Sequence, residues 1–315
     1  MSLSLRFLGT VASRPTVERS VASLTMVREG ETLMFDCGEG TQRQMMRYGV
    51  SFALSDIFIT HWHHDHFLGL LGFVRTLALQ GRTDVLRVYG PRGGVRVLRA
   101  VDSLGHERLP FELKVEEIEG GWSLDRGEYT LNAFTVDHAG SNALGFALVE
   151  RDRRGRFNVD LARELGVPEG PMWGRIHKGE NITLDNGRIV ESSALVGPAR
   201  RGRTVVYTGD TRPCAATMLA AEGADLLVHE ATFGDEEAER AKETGHSTAR
   251  EAAEVAKRSG VRRLVLTHVS ARYSKDYSEL EQQSRQLFPG TTIARDGMEV
   301  EVPFVADATP FGSTP

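Results

Sequence analysis

FITHWHHDHFLG, residues 58–69, packs His61, His63, His64, Asp65 and His66 into six positions. His61 and His63 lie two apart, and Asp65 with His66 follows after a tight turn. Imidazoles beside a carboxylate suit a borderline Lewis acid such as zinc better than calcium or magnesium, which take all-oxygen shells. Five potential donors exceed what one loop need supply to a single tetrahedral ion with an open position. Two ions are therefore the economical reading, and which of the four histidines bind stays open at this point. The flanks give the loop its setting: DIFIT reads as a strand running into His61, and FLGLLGFVRTLALQG as a largely buried helix stopped at Gly81.

Working outward, three more β-like runs end on a residue able to bind metal: FTVD on His138, VVYTG on Asp210 and LVLT on His268. A lone Asp after Thr-Gly is more often a turn residue, and a lone His more often a hydrogen-bonded structural one. Their shared position changes the weight. Donors at strand ends converge on one rim of a layered core, and two zinc ions sharing a carboxylate use about seven side chains. These three complete that number. His229 with Glu230, and His246 ahead of a helix opened by Ser247 and Thr248, form a next tier: a His held by a carboxylate can protonate a departing alkoxide. Cys37 reads as a packed thiol, because no paired base is evident.

The chain has 315 residues, 40% hydrophobic and 26% charged, the composition of a globular protein able to bury a full core. Cys37 and Cys214 form no framework, which suits a reducing compartment, and no export or membrane-spanning pattern is evident, so a cytoplasmic location is the default expectation. The net charge of -5 argues against wholesale nucleic-acid binding. Its distribution is uneven, however: residues 151–203 carry 11 Lys and Arg against 7 Asp and Glu, a local +4 that leaves -9 elsewhere. That same segment lacks sustained apolar periodicity and reads as an excursion, with a short helix near Val159 to Leu165 and a hairpin turning at Asp185-Asn186-Gly187. Strong α/β patterning resumes at RTVVYTGD. The run STAREAAEVAKRSG carries a capping box, Thr248 with Glu251, and ends at Gly260.

FITHWHHDHFLGLLG followed by TVDH, TGDTRPC, VHEATF, GHST and LTHVSARY, with RFLGT and FDCGEGTQRQM before it, resembles the ribonuclease Z family of the metallo-β-lactamase superfamily from about residue 1 to about residue 303. The resemblance implies an α/β fold, the metallo-β-lactamase αβ/βα sandwich with an extruded arm. It divides the chain into a first αβ half at 1–150, a tRNA-binding arm at 151–200, a second half at 201–303 and a flexible tail at 304–315. It implies two Zn(2+) per subunit, one held by His61, His63 and His138 and the other by Asp65, His66 and His268, with Asp210 bridging and His64 left out. The implied activity is hydrolytic: a zinc-dependent endonuclease removes the 3' trailer from precursor tRNA by hydroxide attack on phosphorus, leaving a 3'-hydroxyl and a 5'-phosphate. Asp65 is then the proton acceptor, and Glu230 with His246 protonates the leaving group. Gly170 and Pro171, with Arg175 and Lys178, resemble the arm's tRNA-gripping motif, and Arg19 and Arg272 fall in further substrate-contacting motifs. The expected state is a homodimer, with neither membrane nor DNA as partner.

The sequence departs from the family pattern twice. Pro15-Thr16-Val17-Glu18-Arg19-Ser20 lacks the Lys and Asn usual in that loop, and His64 stands where glycine is frequent. Three rival readings are a dinuclear-zinc hydrolase of small phosphodiesters or related esters, a di-iron redox protein and a catalytically silent binder. The first would not need the Gly-Pro arm. The second calls for a carboxylate where His63 stands, and the third leaves the complete donor set without a use.

Overall fold

The computed structural model describes residues 2–103 and 108–305; the tail expected at 304–315 lies, from residue 306 on, outside the described residues. The chain forms two compact units, Met1–Val149 with Thr204–Pro303, and Glu150–Arg203 with Phe304–Pro315.

The larger unit is built from two seven-stranded sheets. The first contains β1 (Leu3–Gly9), β2 (Ser23–Arg28), β3 (Glu31–Phe35), β4 (Asp56–Phe58), β5 (Leu86–Gly90) and β6 (Leu113–Glu117), with the last strand of the chain, β16 (Glu299–Glu301), beside β1. Its first strands are antiparallel and β3 to β6 are parallel. The second contains β7 (Ser123–Asp125), β8 (Tyr129–Thr135), β9 (Leu144–Glu150), β12 (Thr204–Tyr207), β13 (Leu226–Glu230), β14 (Leu264–Thr267) and β15 (Thr291–Ile293), parallel from β12 onward. Alternating residues of both sheets, among them Leu5, Phe7, Phe35 and Phe58 from one and Leu131, Phe146, Val205 and Val228 from the other, make one buried cluster, so the sheets face each other. Helices cover the outer faces: α1 (Thr41–Tyr48), α3 (Gly69–Leu79) and α4 (Gly94–Ser103) on the first, and α8 (Ala215–Ala220), α10 (Ala249–Arg258) and α11 (Ser278–Arg285) on the second. This is the αβ/βα sandwich. Two further helices, α2 (His64–Phe67) and α9 (Ala238–Thr244), border the rim where the motif residues lie.

The helix expected after the histidines is α3, with the short α2 preceding it inside the donor run, and it is less enclosed than its apolar sequence suggests. Leu70, Phe73, Val74 and Leu77 are buried, but Leu68 and Leu79 are exposed, because the helix packs on one sheet along one face only. Its start is pinned by glycine. A Cβ on Gly69 would sit 2.0 Å from the Gly38 carbonyl oxygen, and one on Gly38 would sit 2.3 Å from that of Asp65. Backbone bonds from Cys37 N–H to the His66 carbonyl at 2.7 Å and from Gly69 N–H to the Cys37 carbonyl at 2.9 Å use this close approach. The loop after β3 therefore buttresses the loop carrying Asp65 and His66. The capping box of α10 is present, Thr248 accepting from the Glu251 amide and Glu251 from the Thr248 amide.

The smaller unit holds α5 (Val159–Glu164), α6 (Pro171–His177), α7 (Ser192–Leu195) and the hairpin β10 (Ile182–Thr183) with β11 (Ile189–Val190). It has its own apolar cluster of Ala162, Val167, Ile176, Ile182, Val190 and Leu195. Among the described residues, no helix is long and apolar enough to cross a membrane.

Candidate metal centre

The donors arrive from strand ends of both sheets. His61, His63, Asp65 and His66 follow β4; His138 follows β8; Asp210 follows β12; His268 follows β14. His268 takes a left-handed backbone, φ 55°, a conformation that costs a β-carbon residue free energy and persists where the surroundings enforce it. The side chains gather into two groups, His61 with His63, His138 and Asp210, and Asp65 with His66 and His268, while a third group joins Asp210 and His268 with His246; within each group the donor atoms lie within 4.8 Å of one another. Asp210 spans the first two: Oδ2 is 3.6 Å from His61 Nε2, 3.9 Å from His138 Nε2 and 3.3 Å from His66 Nε2, while Oδ1 is 3.3 Å from His268 Nε2.

The arrangement fits a cation. Ion pairs to the buried Asp65 and Asp210 come only from histidines among the described residues, with no Lys or Arg. His61 Nε2 and Asp210 Oδ1 are buried without a hydrogen-bond partner there, a cost that a metal would remove. His66 is tied at Nδ1 to Asp36 Oδ2 at 2.8 Å, and His138 at Nδ1 to the Gly245 carbonyl at 2.9 Å; each then turns Nε2 toward the other donors. His63 is the exception and presents Nδ1, 3.2 Å from His138 Nε2. Burial would raise Asp65 and Asp210, but the surrounding histidines outweigh it and hold both carboxylates far below their usual range. Burial would lower His66 as well, yet Asp210, Asp36 and Asp65 lift it, so the pocket demands positive charge at that point.

His64 points away, exposed, with Nε2 3.1 Å from the Ser13 carbonyl. The neighbouring Ser13 N–H donates to Asp65 Oδ2 at 2.7 Å. Together these bonds fasten the loop after β1 to the donor loop.

Glu230 and His246 lie beside the donors, Glu230 Oε1 accepting from His246 Nδ1 at 2.8 Å. Burial pulls His246 down, but the Glu230 carboxylate lifts it to about 9. Arg212 clamps the His246 carbonyl at 2.6 Å and Glu251 at 2.5 and 2.7 Å. Cys37 is fully buried, which pushes its thiol up to about 12 and leaves it unreactive.

Arg19, expected to contact substrate, lies beneath its loop. It is 5% exposed; its guanidinium donates to Thr10 Oγ1 at 2.7 Å and the Ala294 carbonyl at 2.8 Å and lies over the Tyr277 ring. The loop is short and turns inward here, so this cation secures it from beneath. Arg272 is exposed and paired with Glu237. In the smaller unit Gly170, at φ 124°, precedes Pro171 at the first turn of α6. Arg175 pairs with Glu180 at 2.7 Å, and Lys178 is exposed. Sequence reasoning assigned no role to Asp36 or Tyr207. The Tyr207 hydroxyl donates to Asp36 Oδ2 at 2.8 Å across 171 positions of sequence, a pairing no local string announces.

Comparisons with known proteins agree with this geometry. A family model described as a beta-lactamase superfamily domain matches residues 174–269, and one described as anti-Pycsar protein Apyc1 matches residues 3–149. Ribonuclease Z of Gemmatimonas aurantiaca is 64% identical over 303 residues, covering 96% of this chain and 96% of that protein. Ribonuclease Z of Myxococcus xanthus is 50% identical over 302 residues, covering 96% and 98%. The crystal structure of human tRNase Z, short form, superposes with a TM-score of 0.70 at 28% identity over 96% of this chain and 100% of that one. With near-complete coverage at such identity, on the same fold and with a metal-binding His/Asp cluster at the sheet rim, the chain belongs to the ribonuclease Z family.

Proposed function

We propose that this protein is an endoribonuclease that removes the 3' trailer from precursor tRNA, with two zinc ions per subunit. The observation that carries the reading is the convergence of seven donors from two facing sheets, with buried lone pairs turned toward one another. Three imidazoles and a carboxylate suit one zinc, and two imidazoles with Asp65 the other, Asp210 serving both. When bound, the ions would polarise the phosphodiester and lower the pKa of the attacking water.

The chain's own groups do the rest. Asp65, kept ionised by His66 and His268 and oriented by the Ser13 amide, accepts the proton released on attack. Glu230 holds His246 protonated at neutral pH, and His246 gives that proton to the departing ribose oxygen, which otherwise leaves poorly. The tRNA keeps a 3'-hydroxyl and the trailer a 5'-phosphate. The smaller unit, Glu150–Arg203, grips tRNA through Gly170, Pro171 and Lys178, with Arg175 drawn from its pair with Glu180; such contacts read shape and phosphate more than sequence. Arg272, exposed at the end of the THVSARY motif, serves as a phosphate contact in the same way. The enzyme works as a cytoplasmic homodimer, without membrane or DNA as partner.

The test is incubation of the zinc-loaded protein with a trailer-bearing precursor tRNA and mapping of both new ends. Cleavage is expected beside the discriminator base. No cut there would sink the reading.

A further inference from the structure

Two of the inward-facing histidines are not tied directly to a carboxylate or carbonyl at Nδ1. His61 Nδ1 lies 3.1 Å from Thr60 Oγ1, and Thr60 Oγ1 lies 3.0 Å from each oxygen of Asp36. His268 Nδ1 lies 3.0 Å from Thr232 Oγ1, which lies 2.9 Å from Glu230 Oε2 and 3.0 Å from the His268 carbonyl. All six side chains in these two chains of contact are buried: Thr60, Asp36 and His61 at 0 to 1% exposure, and Thr232, Glu230 and His268 at 1 to 4%. A hydroxyl has one proton and two lone pairs. Asp36 accepts from the Thr60 amide and the Tyr207 hydroxyl, and Glu230 from the Thr232 and Thr211 amides. Acceptors therefore take each threonine proton, directly at Asp36 in one case and at Glu230 or the His268 carbonyl in the other. Each remaining lone pair faces an Nδ1, which must then carry a proton.

We infer that Thr60 and Thr232 are paired positioning residues that fix the ring tautomer and aim of His61 and His268, one for each ion, by relaying the Asp36 and Glu230 carboxylates through a hydroxyl. The relay leaves Nε2 bare in both rings, with His61 Nε2 facing Asp210 Oδ2 at 3.6 Å and His268 Nε2 facing Asp65 Oδ2 at 3.3 Å. Glu230 thereby serves two purposes, since Oε1 takes the His246 bond while Oε2 takes that of Thr232. The same carboxylate couples the group that protonates the leaving oxygen to a donor of the second ion.

This inference rests on reading the site as a zinc centre, and the experiment separates the two. Zinc affinity is measured by competition with a chromophoric chelator in the wild type, Thr60→Val, Thr60→Ser, Thr232→Val and Thr232→Ser. Valine keeps the shape and removes the hydroxyl; serine restores it. Loss of an orienting partner of a ligand lowers metal affinity about 10–100-fold, so each valine variant should lose that much at one of two sites, and each serine variant should recover most of it. Wild-type protein that binds no zinc would refute the zinc centre itself. Normal zinc binding in the valine variants, or serine variants as weak as valine, would refute the relay alone. In zinc-loaded wild-type protein, long-range proton–nitrogen spectra should find the ring proton of His61 and His268 on Nδ1; protons on Nε2 would overturn the relay even if no valine variant folds.

Discussion

Asp65 stands where two demands meet, because its Oδ2 both lies 3.3 Å from His268 Nε2 and accepts the Ser13 amide. Asp65→Asn keeps an acceptor for that amide but removes the charge, so cleavage of precursor tRNA should be abolished while tRNA binding, measured by gel shift, stays within about threefold, less than ~1 kcal/mol. Full cleavage by the variant would take Asp65 out of the chemistry. His246 can be tested through the leaving group. His246→Asn should lower kcat on precursor tRNA about 10²–10⁴-fold, but far less on a nitrophenyl phosphodiester, whose phenolate leaves without a proton; equal losses would mean that His246 only supports the fold. At this scale much of the site was legible, since His61, His138, Asp210 and His268 each follow an apolar run and converge at one rim. Asp36, Thr60, Thr232 and Tyr207 were not, because their value lies in partners contributed by distant strands. The burial of Arg19 was hidden for a related reason: the Ala294 carbonyl and Tyr277, which help draw it under its loop, lie far along the chain.

Among elements, the junction of α2 and α3 carries the donor loop and depends on two glycines. Gly69→Ala would set a methyl 2.0 Å from the Gly38 carbonyl oxygen, a backbone atom that cannot swing aside as a side chain would. The strain should cost about 1–3 kcal/mol, lowering Tm by roughly 3–10 °C in a unit of this size, and zinc affinity should fall with it because Asp65 and His66 sit on the displaced turn. A thermal melt by circular dichroism with parallel chelator competition checks both; an unchanged Tm would show that the loops part freely. The α10 helix was legible from its capping box and alanine-rich face. The α1 and α4 helices were not expected from the sequence: α1 buries only Thr41, Gln44 and Met45, too thin an apolar stripe to announce itself among polar neighbours. The short α2 was hidden for another reason, since His64 to Phe67 read as a donor loop ahead of the helix.

For the whole molecule, the proposed function assigns the chemistry to the larger of the two units and the grip on RNA to the smaller. The smaller unit has its own apolar cluster and closes on itself at its base, where Arg203 donates to both Glu150 oxygens at 2.7 Å and Arg153 pairs with Arg200. The guanidinium groups of Arg153 and Arg203 also lie over the Phe304 ring at 3.2 and 3.9 Å. Replacing residues 156–198 by a short Gly-Ser linker leaves these basal contacts in place. The larger unit retains both sheets, their helices and every donor of the candidate centre, so its circular dichroism and zinc content should match the full chain. Precursor tRNA should then show a KM raised tenfold or more, a loss of about 1.4 kcal/mol or more of binding, while kcat/KM for a small nitrophenyl phosphodiester stays within about twofold. Loss of both activities in equal measure, with zinc retained, would mean that the smaller unit shapes the catalytic centre instead of holding the RNA. A gain on neither substrate and no rise in KM would remove it from recognition altogether, leaving phosphate contacts on the larger unit, Arg272 foremost, to explain how a chain of net charge -5 holds a polyanion.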